Sequence, residues 1–233
     1  MNFFYKMKMK YQRYAIQNLA MYASLVFAIG YLLLQTPTGQ SLYLNFLAFF
    51  PQQVLHGQIW RILTAVLYPP FAGSNLLFAL LGIYIYYNFA STVEQMMGEF
   101  EYNVYFFGSI LIGEIGALLF YLIFGVNMPY LPFYTHFAVF MAFAIMYPDA
   151  TILLMFVLPL KAKYLAIAEA VIYVYNFLMG NAYTRMMILS ALVPILLFYM
   201  FVDHNRNGGN IISNFRWKME RRKRQKEWRD QWR

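Results

Sequence analysis

The chain has 233 residues, of which 61% are hydrophobic, 21% aromatic and only 12% charged. Soluble globular domains typically carry about 25% charged residues, and a chain of this length has too little core to bury so many apolar side chains, so much of its surface must contact lipid. This composition excludes an ordinary soluble enzyme and a disordered protein, and the lack of cysteine excludes disulfides and thiol chemistry. We expect one polytopic membrane domain over residues 19–203, between a basic N-terminus (1–18) and a basic tail (204–233).

Six apolar segments predict membrane-spanning helices. In chain order they cover residues 19–34, 71–90, 102–124, 130–147, 164–179 and 186–202. The loop after the first segment contains an apolar stretch over 42–50, which we expect to lie at the interface or to insert partway. A further apolar stretch, 152–158, is too short to cross about 30 Å of hydrocarbon as a helix.

The distribution of positive charge supports an even number of spans. With six spans, both termini lie on one side, and that side carries 16 of the 18 Lys and Arg residues, leaving only Arg61 and Arg185 opposite. Lys and Arg are enriched in cytoplasmic loops, so both termini are predicted to be cytoplasmic. No convincing cleavage site follows the basic N-terminus, so the first segment is expected to be a retained span.

Three short motifs resemble the rhomboid-like superfamily over roughly residues 45–166. They are Trp60-Arg61 within the loop string HGQIWRILT, Glu94 and Gly98 after the second segment, and the stretch from Pro148 that joins the fourth and fifth segments. The resemblance implies an all-α fold, a six-transmembrane-helix rhomboid-like bundle with a partly embedded first loop. Within this superfamily, the chain resembles the derlin-like pseudoproteases.

The residues of the rhomboid serine protease site do not carry over. The resemblance implies a Ser in a Gly-x-Ser-Gly setting on the fourth span and a His on the sixth, but residues 132–140 hold neither Ser nor Gly, and the sixth segment has Ser190 and no His. Of the His and Asn that serve the oxyanion near the second span, only Asn75 remains. No catalytic residue is therefore assigned, and the resemblance implies a non-catalytic pseudoprotease that binds or escorts transmembrane client proteins.

Six residues are candidates for contact with clients or lipid, namely Asn75 and the five residues Trp60, Arg61, Glu114, His136 and Glu169. Glu114 and Glu169 fall inside predicted spans, where a carboxylate is costly and usually faces the bundle or water. One interpretation is functional: a polar cavity, a proton path or a docking site. The other is structural: neutral carboxyls bonded to nearby polar groups. His136 is either a client contact or a polar residue bonded to water, a headgroup or a backbone carbonyl. Trp60, with Arg61, either anchors the loop at headgroup level or helps to admit a client helix.

The tail combines positive charge with tryptophan. Residues 214–233 hold nine Lys or Arg, and in a helix its three tryptophans point to one side. Such a helix fits an anionic membrane surface, and we favour this interpretation over nucleic acid or ribosome binding. The residues concerned are Trp217, Arg221, Arg222, Arg224, Trp228 and Trp232.

Three functions remain open at this point. The first is the pseudoprotease that binds transmembrane clients, the second an active intramembrane serine protease with a displaced site, and the third a small transporter using Glu114 and Glu169. No cofactor is expected, and three scattered histidines show no metal-ligand spacing. The short termini favour a bacterial cell membrane, with the endoplasmic reticulum as the alternative.

Overall fold

A computed structural model describes residues 9–154 and 158–205, and these residues are mostly helical. The first loop contains short helices and a π-helical turn, Tyr43–Leu47. The α-helices are α1 (Leu19–Leu34), α2 (Pro37–Leu42), α3 (Pro51–Leu55), α4 (Arg61–Thr64), α5 (Leu76–Met97), α6 (Glu99–Phe124), α7 (Phe133–Met146), α8 (Ala162–Met179) and α9 (Ala182–Asn205).

Each of the six predicted apolar segments overlaps an α-helix, although the second is displaced. It was predicted over 71–90 and forms α5 over Leu76–Met97. Turns at Pro69 to Ala72 and Phe71 to Ser74 precede α5, and the Asn75 side chain accepts a hydrogen bond from the Phe78 N–H at 3.0 Å to cap its start. The helix stops at Gly98, whose φ of 96° suits only glycine readily.

Helix α5 lies at the centre of the bundle. It packs against α1, α6 and α7, with the most extensive contact to α1. Small residues permit this close approach: Ala79 and Ala90 of α5 are fully buried, as is Ala20 of α1. Two of the candidate side chains, Glu114 of α6 and His136 of α7, lie on helices that pack against α5.

Three helices are long and apolar enough to cross a membrane, namely α5, α6 and α8. The count rises to four if α1 and the segment Pro37–Leu47, bent by 115°, form one broken span. Two shorter apolar helices cover His136–Met146 and Ala182–Phe198. By length and composition the described chain thus has three or four candidate spans, and six spans stay a prediction.

One element departs from the all-α expectation. Residues Thr151–Leu154 (β1) and Leu158–Lys161 (β2) form an antiparallel hairpin, in which Thr151 pairs with Lys161 and Leu154 with Leu158. Residues 152–154 and residue 158 of the stretch predicted to be too short for a span are thus paired backbone between α7 and α8, and 155–157 lie outside the described residues. Pairing satisfies the N–H and C=O groups that face each other between the two strands and that an isolated apolar segment would leave exposed.

The chain divides into two compact units, residues 1–195 and 196–233. The first contains α1 to α8, the hairpin and most of α9. The described part of the second is the last portion of α9. The predicted basic N-terminus lies outside the described residues up to residue 8, and the tail residues Trp217, Arg221, Arg222, Arg224, Trp228 and Trp232 lie outside them entirely.

Candidate functional site

Arg61 is a buried structural residue of the first loop. Its side chain is only 2% exposed. The guanidinium Nε donates to Gln58 Oε1 at 2.7 Å, Nη1 donates to the Ala48 carbonyl at 2.6 Å, and Nη2 donates to the Asn45 carbonyl. All of its nitrogens are thus used within the loop, which leaves little of this side chain to contact a client.

Trp60, just before α4, and Thr64, at its end, complete the same arrangement. Trp60 Nε1 donates to the Phe46 carbonyl at 3.0 Å, and Thr64 Oγ1 donates to the Leu47 carbonyl at 2.7 Å. Together with Arg61, these side chains pair the four consecutive carbonyls of residues 45–48 at the end of the π-helical turn. A helix end leaves such carbonyls unpaired, so the Trp-Arg motif closes the loop. Trp60 remains 48% exposed and presents its ring outward.

His136, near the start of α7, is enclosed by three other parts of the chain. It is 3% exposed, and its Nε2 donates to the Tyr68 carbonyl at 2.9 Å, which assigns the ring proton to Nε2. Its ring meets the Phe27 ring edge-on at 4.6 Å and the Tyr86 ring at 6.1 Å. His136 therefore joins α7 to the loop, α1 and α5, as a backbone-bonded histidine.

The buried serine hydroxyls do not pair with this histidine. Ser109 Oγ donates to the Tyr105 carbonyl at 2.6 Å, and Ser190 Oγ donates to the Met187 carbonyl at 2.8 Å. Each of these bonds lies within one helix. Asn75, the residue retained from the oxyanion pattern, has its side-chain oxygen occupied as the cap of α5. Among these groups the structure assembles no nucleophile with a base in reach.

Glu114 is a carboxyl buried inside α6. It is 3% exposed, and within the described residues neither of its oxygens has a hydrogen-bond partner. Tyr43 of the first loop lies within electrostatic range. The neighbouring Gly113 is covered so closely by the Tyr130 side chain that a Cβ there would collide with the ring. An unpaired buried carboxyl costs free energy, so Glu114 is a candidate for function.

Glu169 lies on α8 in different surroundings. Its side chain is half-buried and its two oxygens are shielded from solvent. Tyr173, one turn further along α8, lies beside the carboxyl, and Tyr105 of α6 is within electrostatic range. Glu114 and Glu169 therefore have separate neighbours, and each must be considered alone.

Glu94 has a role that sequence reasoning missed. The chain enters α1 through Asn18 with a φ of 54°, in which its side chain makes no cap. Instead the buried Glu94 carboxylate accepts hydrogen bonds from the N–H groups of Leu19 at 2.7 Å and Ala20 at 3.0 Å. A carboxylate suits a helix N-terminus, where N–H groups are unpaired. The available signal was an acidic residue that continues the apolar face of α5.

A pocket of about 370 Å³ opens between the end of α1 and the first loop. Its wall includes Tyr68, whose carbonyl holds His136. None of the six candidate residues of the bundle and loop lines it. The lining residues are Leu34, Gln35, Gln40, Tyr43, Leu44, Tyr68, Ala72, Gly73, Ser74 and Leu131. Across the described ranges, no group of three His, Cys, Asp or Glu side chains is placed to hold a metal ion.

No protein-family model matches the chain, and no curated protein or solved structure matches it. The resemblance to rhomboid-like proteins accordingly rests on the loop motifs and the order of apolar segments. The geometry of the described residues carries the rest of the functional argument.

Proposed function

We propose that the chain is a non-catalytic rhomboid-like membrane protein that binds transmembrane segments of client proteins beside α8. The observation that carries this proposal is the sparse packing of α8. Only 11% of its apolar window is buried, against 28% for α5 and 44% for α6. A helix that its own bundle covers so little has most of its surface available to lipid or to another helix.

The exposed surface of α8 is apolar along its length. It includes Ile167 at 60%, Val171 at 62% and Val174 at 58% exposure. Within the described residues, α7 and β2 are the elements that pack against α8 beyond isolated contacts. A client helix could therefore align with α8 without first displacing another helix of the bundle.

Glu169 lies on the opposite side of α8 from this exposed surface. Residues two positions apart on a helix point about 160° away from each other, so Ile167 and Val171 both face away from Glu169. The Glu169 oxygens are shielded from solvent, and Tyr105 of α6 lies within electrostatic range. The carboxyl therefore faces the bundle, as acidic residues inside spans usually do, and a client helix would contact the apolar side of α8.

Photocrosslinking tests the proposal directly. A photoreactive amino acid is placed at Val171 on α8 and, as a control, at Ile29 on α1, which is equally exposed at 60%. Irradiation in native membranes should give discrete protein adducts from Val171 and only lipid adducts from Ile29. Lipid adducts alone from both positions, or the same protein adducts from both, would contradict a docking site on α8.

The membrane arrangement is part of the proposal. We infer six crossings with both termini in the cytoplasm of a bacterial cell, and a basic tail that contacts anionic lipid headgroups. Since the chain has no cysteine, single cysteines at Asp149 and Asn181 report on one side each. Asp149 should react with an impermeant maleimide only from the cytoplasm, and Asn181 only from the opposite side. Reaction of both from one side would exclude this topology.

A proton-coupled transporter is the second candidate, favoured by the buried carboxyl of Glu114. A carboxyl with no partner among the described residues can exchange a proton during a transport cycle. This function predicts a pH-dependent flux in proteoliposomes that is lost in Glu114→Gln. Flux unchanged in that variant would remove the observation that supports it.

A further inference from the structure

We propose that the β1–β2 hairpin inserts into the headgroup boundary of the anionic leaflet, as a lipid-contacting element of the domain. Its exposed face, which carries Thr151 and Pro159, contacts lipid, while Lys161 and Lys163 lie at headgroup level. This inference concerns the membrane surface and is independent of whether clients bind α8.

The composition of the hairpin is unsuited to water. A hairpin with one solvated face alternates apolar and polar residues, but every residue from Ile152 to Leu160 is apolar. In the described strands, Thr151 and Pro159 lie on one face, because Thr151 pairs with Lys161 and Leu153 with Pro159. Thr151 and Pro159 are both exposed, and Ile152 and Leu160, on the other face, are half-buried.

The bundle covers little of the hairpin. Among the described elements, α8 is the one helix that packs against it beyond isolated contacts, through β2. An isolated two-stranded hairpin is marginally stable in water and needs an apolar surface against one face. Among the described residues nothing pairs with either outer edge of the hairpin, and unpaired edges in water promote aggregation. Lipid at the interface provides the missing apolar cover.

The base of the hairpin sets its position at the membrane boundary. The Ala162 N–H donates to the Ala150 carbonyl at 2.8 Å, and the Lys163 N–H donates to the Pro148 carbonyl at 3.1 Å. These bonds attach the hairpin to the end of α7 and the start of α8, two apolar helices. A four-residue strand reaches roughly 13 Å, which suits the headgroup and upper acyl region and is too short for a span.

The charges at the base match an anionic surface. Asp149 lies 3.1 Å from Lys163 Nζ and 3.5 Å from Lys161 Nζ, so one carboxylate faces two ammonium groups. One positive charge is left over, and both lysines remain 39–49% exposed. Tyr164 follows with its ring 5.4 Å from Lys163 Nζ and 57% exposed. Lys and Tyr together are typical of the interface, where anionic lipids attract lysine.

The test uses spin labels on single cysteines in this cysteine-free chain. Labels at Thr151 and Pro159 are compared with a lipid-exposed control at Leu25 on α1 and a water-exposed control at Glu99. Collision rates with oxygen and with a water-soluble nickel chelate are measured in bilayers of half phosphatidylglycerol and half phosphatidylcholine. We expect the label at Pro159 to show the same oxygen and nickel accessibility as the label at Leu25. Thr151 lies two residues nearer the base of the hairpin, so Pro159 should lie up to roughly 7 Å deeper in the bilayer than Thr151.

Three outcomes would overturn the proposal. Nickel accessibility at Pro159 equal to that at Glu99 would place this face in water. Dipolar broadening between Pro159 labels on two copies would assign the face to a second copy of the chain. If the label at Thr151 lay at the same depth in bilayers of phosphatidylcholine alone as in bilayers with phosphatidylglycerol, the lysines would not contribute to the contact with lipid. The label at Thr151, on the same face, carries the test should a probe at Pro159 disturb the strand.

Discussion

The carboxylate of Glu94 accepts a hydrogen bond of 2.7 Å from the backbone N–H of Leu19, 75 positions earlier in the chain. This bond makes the end of α5 the cap of α1, the helix with which α5 has its most extensive contact. It also explains why α1 begins after a residue in the left-handed conformation whose own side chain cannot cap it.

Replacing Glu94 by Ala should lower the free energy of unfolding by about 1–3 kcal/mol, since two buried N–H groups lose their acceptor. Glu94→Gln, which keeps one acceptor, should lie between. Gln95→Ala, at the exposed neighbouring position, is the control and should change little. Thermal unfolding in detergent measures all three, and equal stability of the Glu94 and Gln95 variants would refute the cap.

Two glycines of α6 predict opposite effects of the same substitution. Gly113→Ala should destabilise the bundle by about 1–3 kcal/mol, because the new Cβ collides with the Tyr130 side chain. Gly108→Ala meets nothing within 4 Å, so it should stabilise α6 by about 0.5–1 kcal/mol through helix propensity. Unfolding midpoints report both, and a destabilising Gly108→Ala would show that this helix surface is covered.

Arg61 and Trp60 should differ in their importance for stability. Arg61→Lys should cost about 1–3 kcal/mol, since a lysine cannot reproduce the fork that pairs Asn45, Ala48 and Gln58. Trp60→Phe removes one hydrogen bond of a half-exposed ring and should cost about 0.5–1.5 kcal/mol. The rate of limited proteolysis within the first loop should therefore rise more in Arg61→Lys than in Trp60→Phe. A larger loss from Trp60→Phe would contradict the structural role assigned to the guanidinium.

Glu114→Leu distinguishes architecture from function. Removing two carboxyl oxygens that lack partners in the described structure should raise the free energy of unfolding by about 1–3 kcal/mol. If clients bind α8, crosslinking from Val171 should be unchanged in this variant. Loss of pH-dependent flux in proteoliposomes together with higher stability would instead identify Glu114 as a functional carboxyl, as in the transporter candidate.

The base of the hairpin should respond to acid. A hydrogen bond from Lys163, together with the charge of Lys161, holds the pKa of Asp149 below its usual value. Stability from this group is therefore present above the unfolded pKa of about 3.9 and is lost as the pH falls through the lower folded value. A spin label at Thr151 should become more mobile below about pH 4. Asp149→Asn should be mobile at every pH, and parallel pH curves for the two proteins would exclude the ion pairs.

The order of the helices along the chain can be predicted largely from the positions and lengths of its apolar segments. The first predicted segment, 19–34, coincides with α1, and the third ends where α6 does, because Gly125 with a φ of 69° terminates it. The predicted second segment, 71–90, begins too early because Phe71 and Ala72 are apolar and extend the hydropathy pattern of the span. These two residues form turns, and Asn75, which the rhomboid resemblance assigns to an oxyanion pattern, is the cap of α5.

The site depends on contacts that hydropathy does not report. That Trp60, Arg61 and Thr64 pair four carbonyls of the same loop requires the loop to fold back upon itself. That His136 faces the Tyr68 carbonyl depends on where α7 crosses the loop. Sequence spacing predicted which residues are polar within apolar segments, but the choice between binding and internal hydrogen bonding requires their partners, which come from distant parts of the chain.

Covalent labelling with a fluorophosphonate probe is the most direct test of a non-catalytic function. The purified protein in native-like bilayers is treated beside an active rhomboid protease, and adducts are located by peptide mapping. The account predicts no adduct on this chain under conditions that label the protease, since Ser109 and Ser190 donate to carbonyls of their own helices. A reproducible adduct at one Ser or Thr, lost in a folded Ala variant, would contradict the account and identify a protease with a displaced site.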